Sequence, residues 1–339
     1  MSLVTLGTSL AERWSLPDAV IEAGVNVMAG RARRWLRSGK AKPAAAVLEI
    51  MARGPIAYRS DQASRPELPA DFFGLVLGPR RKHSCCRYEG RDSTLAEAED
   101  LGLETTAAHA DLRDGQLVLE LGCGWGSLSL WMAEQYPASR ITAVSNSDSQ
   151  REYILAQAAA RGLTNLRVVT ADMNDFTIGQ SFDRIVSVEM LEQMTNWQVL
   201  LQRIRGWLRQ DGRLFIHVFC HRTTPYIFDP ANREDWIARH FFSGGILPSH
   251  DLLSLATKDL AIEAEWRWSG GHYARTIRDW LKNFDRNETA ITEMFQPVYG
   301  GETEVWKRRW RLFFLAAAGL FGHEGGSEWG VSHYLLRPA

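Results

Sequence analysis

Cysteine is scarce in this sequence. Cys85, Cys86, Cys123 and Cys220 are the four among 339 residues, and none forms a CxxC pair. Vicinal Cys85 and Cys86 are poorly placed to bridge each other, so a secreted-type disulfide framework is excluded and a reducing, cytoplasmic setting is expected. A surplus of either charge is missing too. The 39 basic and 40 acidic residues leave a net charge of -1, which gives no field toward nucleic acid or an anionic membrane. The first twenty residues lack a basic n-region and an uninterrupted apolar stretch, so no secretion signal is read there. The longest apolar run near the end, 312–320, is about half of a bilayer span, and no stable membrane association is expected. Internal repeats and low-complexity tracts are absent. With 45% hydrophobic and 23% charged residues, disorder as the main state is excluded.

What is present is a change of rhythm along the chain. Val20, Val25, Val27, Met28, Trp35 and Leu36 fall at helical intervals, and prolines then punctuate 55–79, so residues 1–80 read as a helical extension. Ser93-Thr94 followed by Glu97 resembles a capping box that opens a helix through about His109. From there strands at 117–121, 140–145, 166–170, 183–188 and 213–219 alternate with helices at 126–135, 149–161 and 197–208. This is the rhythm of an α/β fold with a mostly parallel, doubly wound sheet, expected over 81–339. Late strands are expected at 262–268 and 330–336. Residues 221–258 extend no obvious sheet and read as a lid insertion, while 273–322 reads as a helical cap.

The strongest chemical signal is Glu120-Leu121-Gly122-Cys123-Gly124-Trp125-Gly126, three glycines at alternate positions between an apolar strand and a helix. Glycine lets a nucleoside approach the backbone without meeting a Cβ. A dinucleotide fingerprint would need its third glycine at Ser127, so the spacing points to S-adenosylmethionine; a turn that merely joins strand to helix is the plain alternative. Two later strand ends agree. Ser145-Asn146-Ser147 with Gln150 supplies neutral groups for ribose hydroxyls, and Ala171-Asp172-Met173 places a carboxylate and an apolar side chain at the adenine end.

Longer stretches carry a family likeness: HSCCRYEG at 83–90, LGCGWGSLSLW at 121–131, DRIVSVEMLEQM at 183–194, FIHVFCHRTTPYIF at 215–228, FFSGGILPS at 241–249, GGHYARTIRDWL at 270–281 and EWGVSHYLL at 328–336. With these pieces the chain resembles class I S-adenosylmethionine methyltransferases of the cyclopropane-fatty-acid-synthase-like superfamily, and within it the coclaurine N-methyltransferases. The resemblance implies a Rossmann-like fold, S-adenosylmethionine as cofactor, a small amine as substrate, no metal, and room for a homodimer. Ser84, Gly122, Gly124, Trp125, Gly126, Asn146, Gln150, Asp172 and Met173 are the implied cofactor residues. The family carries a glutamate and then Met-Phe-Glu-His after the fourth strand. Here Glu189, Glu192 and Gln193 match, with glutamine in place of the histidine.

A carboxylate at this place attracts the substrate ammonium and takes its proton, because a protonated amine has no lone pair for methyl transfer. Gln193 orients but accepts no proton. His217, His221, Phe241 and Tyr273 are the expected substrate-side residues. In the lipid-modifying relatives a glutamate, a histidine and a tyrosine hold bicarbonate; Glu192 and His217 match the first two, and the tyrosine falls near Phe313. Lipid methylation or cyclopropane synthesis is the alternative activity. Nine of the thirteen tryptophans lie from Trp197 onward and read chiefly as core, with some free to line a pocket for a flat cation.

Overall fold

A computed structural model describes residues 3–58, 67–242 and 244–339. The described residues open with α1 (Leu3–Arg13), α2 (Asp18–Arg37), α3 (Ala44–Met51) and α4 (Ala70–Val76). Pro17, Pro43 and Pro69 stand directly before the last three, where a fixed φ and a missing N–H are tolerated. Helix α5 (Leu95–His109) opens with the expected box: Thr94 Oγ1 accepts from the Glu97 N–H, and the Glu97 carboxylate accepts from the Thr94 N–H.

The α/β alternation follows as β1 (Leu117–Leu121), α6 (Ser127–Gln135), β2 (Arg140–Ser145), α7 (Asp148–Ala160), β3 (Leu166–Thr170), β4 (Phe182–Val188), α8 (Trp197–Trp207) and β5 (Leu208–His221). Next come β6 (Tyr226–Ile227), α9 (Trp236–His240), β7 (Ile246–Leu247), α10 (Leu252–Ala256) and β8 (Leu260–Ser269). Helices α11 (Gly270–Arg286), α12 (Glu288–Tyr299) and α13 (Thr303–Gly322) lead to β9 (Trp329–Pro338). Strand β5 is longer than the sequence suggested, because Leu208 already pairs with Phe182 ahead of a register irregularity.

Seven strands form one sheet in the order β3-β2-β1-β4-β5-β9-β8. Strands β1 to β5 pair in parallel, while β9 is antiparallel to both β5 and β8. After β1 the chain builds outward through β2 and β3, then returns to place β4 on the other side of β1. The reversal opens a crevice at the carboxyl ends of β1 and β4, the usual ligand position in such sheets.

One core fills the sheet face under α3, α8 and α10, where Leu48, Leu200, Ile204 and Leu252 are all buried. A second core, rich in aromatics, lies beneath the cap helices α11 to α13 and includes Phe72, Trp280, Phe284, Phe295, Phe314 and Phe321. Six of the nine late tryptophans, Trp197, Trp207, Trp236, Trp268, Trp280 and Trp329, are buried, as a core role requires.

The insertion at 221–258 packs on the rest of the fold at several points. Strands β6 and β7 pair with each other, and Leu252, Leu253 and Ala256 of α10 join the first core. That burial anchors the second half of the insertion, and Trp236 and Ala238 of α9 are buried too. Ser243, in the FFSGGILPS stretch of the insertion, lies outside the described residues. No helix among the described residues is long and apolar enough to cross a membrane.

Candidate active site

A cavity of about 310 Å³ occupies the crevice between β1 and β4. Ser84, Gly122, Gly124, Trp125, Asn146, Gln150, Asp172, Met173, Glu189 and Gln193 all line it, and Gly126 does not. The glycines differ in what they do. A Cβ on Gly126 would lie 2.6 Å from Ile154 Cγ1, and one on Gly122 would lie 2.6 Å from Met190 Cβ, so both serve packing inside the protein. Gly124 has φ +52° and no described atom within 4 Å of its Cβ position, which leaves its backbone open to the cavity.

The strand ends supply the polar lining. Ser147 caps α7 by accepting from the Gln150 N–H at 3.2 Å, and Ser145 Oγ donates to Gln150 Oε1 at 2.6 Å, which fixes the amide at the cavity wall. Asp172 Oδ1 accepts from the backbone and side-chain N–H groups of Asn174 at 2.8 and 2.9 Å. Trp125 is buried against Phe73 and Tyr153. An open glycine backbone, neutral amides and a carboxylate in one crevice fit an adenosyl group.

Glu189 is the first residue after β4, and its φ of +49° puts it in the left-handed region that non-glycine residues seldom occupy. The turn aims the carboxylate back at the cavity. Oε1 accepts from the Cys85 N–H at 2.9 Å and lies 3.1 Å from His217 Nε2, while Oε2 accepts from the Tyr273 hydroxyl. Burial pushes its pKa up, opposed by the Lys82 cation, the Cys85 N–H and the Tyr273 hydroxyl. Lys82 is itself buried, with Nζ donating to Ser84 Oγ at 2.5 Å and to the Cys85 carbonyl at 2.7 Å.

Glu192 is placed differently. It is fully buried and outside the cavity lining, with Oε1 accepting from the Phe219 N–H at 2.6 Å and Oε2 without a partner among the described residues. Burial first, and the neighbouring Glu189 second, hold its pKa well above the carboxylate range. Of the two, Glu189 is the easier to ionise, because a backbone N–H, a hydroxyl and the Lys82 cation oppose its burial, while Glu192 has the Glu189 carboxylate beside it. His217 contacts Glu189 and not Glu192.

None of the four expected substrate residues lines the cavity: His217 and Tyr273 meet it through Glu189, and the other two lie farther off. His221 is buried with Nε2 3.7 Å from Glu328 Oε2, and Phe241 stacks on Phe313 at 4.4 Å within the cap. Phe313 is thus a packing residue, and the hydroxyl at the site comes from Tyr273 on α11. Sequence reasoning missed Lys82, His83, His109 and His333. His83 lines the cavity beside Phe73 and Trp280, and its signal was the basic run Arg80-Arg81-Lys82-His83 ahead of the two buried cysteines.

The family model described as mycolic acid cyclopropane synthetase matches residues 57–326. The chain belongs to the mycolic acid cyclopropane synthetase family. Within that family it is similar to (S)-coclaurine N-methyltransferase of Thalictrum flavum subsp. glaucum, 38% identical over 80% of this chain and 76% of the relative. Cyclopropane-fatty-acyl-phospholipid synthase of Escherichia coli (strain K12) is 27% identical over 78% of this chain and 65% of that enzyme. The solved structure of coclaurine N-methyltransferase bound to N-methylheliamine and SAH superposes with a TM-score of 0.93 at 32% identity, covering 99% of this chain and 100% of that one. The cyclopropane synthase MmaA2 from Mycobacterium tuberculosis shares the fold, with a TM-score of 0.67 at 24% identity, over 80% of this chain and 95% of that one. The architecture is that of a class I methyltransferase.

Proposed function

We propose that this protein transfers the methyl group of S-adenosylmethionine to the nitrogen of a small aromatic or isoquinoline-like amine. The observation that carries the reading is Glu189, an ionisable carboxylate held by Cys85, His217 and Tyr273 at the wall of the glycine-loop cavity. When bound, the cofactor supplies an electrophilic methyl on a sulfonium. The chain's own residues draw in the ammonium, take its proton at Glu189 and keep the amine aligned in a water-poor crevice. The low dielectric strengthens the attraction between Glu189 and a cation.

The lipid reading is weaker, since the E. coli synthase is 27% identical against 38% for the Thalictrum coclaurine enzyme. We take the enzyme to act in the cytoplasm, as four buried free thiols favour, and without nucleic acid. The segment 229–242 and the cap helices close the substrate side in this reading. The test is a panel of benzylisoquinolines, simpler arylalkylamines and phospholipids with methyl-labelled cofactor. Label in an amine supports the proposal, whereas label confined to lipid would overturn it.

A further inference from the structure

A polar row crosses the sheet from the cavity to the protein surface. It begins at Glu189 after β4, whose Oε1 lies 3.1 Å from His217 Nε2 on β5. His217 Nδ1 lies 2.9 Å from Nε2 of His333, the residue directly opposite it on β9. His333 Nδ1 lies 2.9 Å from Nδ1 of His109, the last residue of α5. His217 and His333 are wholly buried, while His109 is partly exposed and stacks on Trp266 of β8 at 3.8 Å. Apolar side chains would fill these core positions without the cost of burying polar rings, so the row needs a reason beyond packing.

We propose that this row carries the proton taken by Glu189 out to solvent at His109. The proposal rests on the N-methyltransferase reading, in which each turnover starting from an ammonium leaves a proton behind. The substrate N–H bond breaks and an O–H bond forms on Glu189. That proton passes to His217 Nε2 as the Nδ1 proton of the same ring passes to His333 Nε2. The Nδ1 proton of His333 goes to His109 Nδ1, and the Nε2 proton of His109 goes to water. Each bond broken is matched by one formed, no electrons change hands, and Glu189 ends as a carboxylate. The rings finish in the opposite tautomers. Once product leaves, the reverse shift takes up a proton from water at His109, and Glu189, which lines the cavity, sheds one to solvent there. The starting tautomers thus return, and one proton is still released per turnover.

The groups that act on the row are Glu189, Lys82 and Arg87. Burial, with Lys82 and the neighbouring rings, lowers His217 and His333 well below the imidazole range, and burial with Arg87 lowers His109 to about 4. The rings are neutral near pH 7 and pass a proton on without storing it.

The test uses His109→Phe, which keeps a ring against Trp266, and His333→Gln, alongside ¹⁵N-histidine NMR of the full chain. At low buffer concentration kcat should fall about tenfold or more in both variants, toward the ~10²-fold lower end for a lost general base, with KM and cofactor affinity unchanged. Added imidazole should restore turnover to His109→Gly. Wild-type kcat and pH profile in His109→Phe would overturn the relay. A second readout needs no substrate: Glu189→Gln should shift the ring nitrogens of His217, His333 and His109 in turn. Silence at His109 overturns the relay, while failure of the wild type on every amine counts against the N-methyltransferase reading alone.

Discussion

Tyr273 donates its hydroxyl to Glu189 across a sequence separation of 84 residues, tying the cap helix α11 to the end of β4. The contact joins the substrate-side helices to the group that titrates. Removing the hydroxyl by Tyr273→Phe keeps the ring and leaves Oε2 short of a donor. That hydrogen bond lowers the Glu189 pKa, so its loss raises it. The acid limb of kcat/KM should move to higher pH, and kcat near neutrality should drop about tenfold, with cofactor affinity by calorimetry as control.

The two glutamates should separate cleanly. Glu189→Gln should lower turnover about 10²- to 10⁴-fold, as loss of a general base does. Glu192→Gln mimics the neutral form that burial favours and retains an acceptor for the Phe219 N–H, so its turnover should stay within a few-fold of wild type. Glu192→Leu orphans that buried N–H and should cost about 1–3 kcal/mol in denaturant unfolding. Equal losses in both glutamine variants would contradict the assignment.

Glycine substitutions should divide between fold and ligand. Gly126→Ala meets Ile154 at 2.6 Å and adopts a positive φ, so a lower Tm is expected. Gly124→Val projects into open space, and weaker cofactor binding should be its main effect, with a smaller loss of Tm from its φ of +52°. Paired melting and calorimetry distinguish the two.

Glu120 is buried and its carboxyl is pushed up to about 8 by burial, against a hydrogen bond from Ser129. The fold favours the protonated form. Its stabilisation is present below the ordinary carboxylate value of about 4.5 and is lost as pH rises through about 8. The Tm of the ligand-free protein should therefore fall from pH 5 to pH 8, and Glu120→Gln should flatten that fall.

The parallel half of the fold was legible because β1 to β5 carry apolar runs separated by glycine and polar turns. The capping box at Thr94 and Glu97 was legible for the same local reason. The ligand crevice could be read from residues that close individual strands, such as Asn146 and Asp172. His109 and His333 could not be read, since their meeting depends on antiparallel register and on where α5 ends. The same holds for His221 and Phe241, which motif position placed at the substrate and tertiary packing placed elsewhere.

Strand β9 is the last strand in sequence and the sixth across the sheet. Until it inserts, β5 presents an open edge and β8 has no neighbour in the sheet, so folding depends on long-range pairing. Such exposed edges invite association with other chains. The strand that ends this exposure also brings in His333, so a chain that has not completed its sheet also lacks its path for protons.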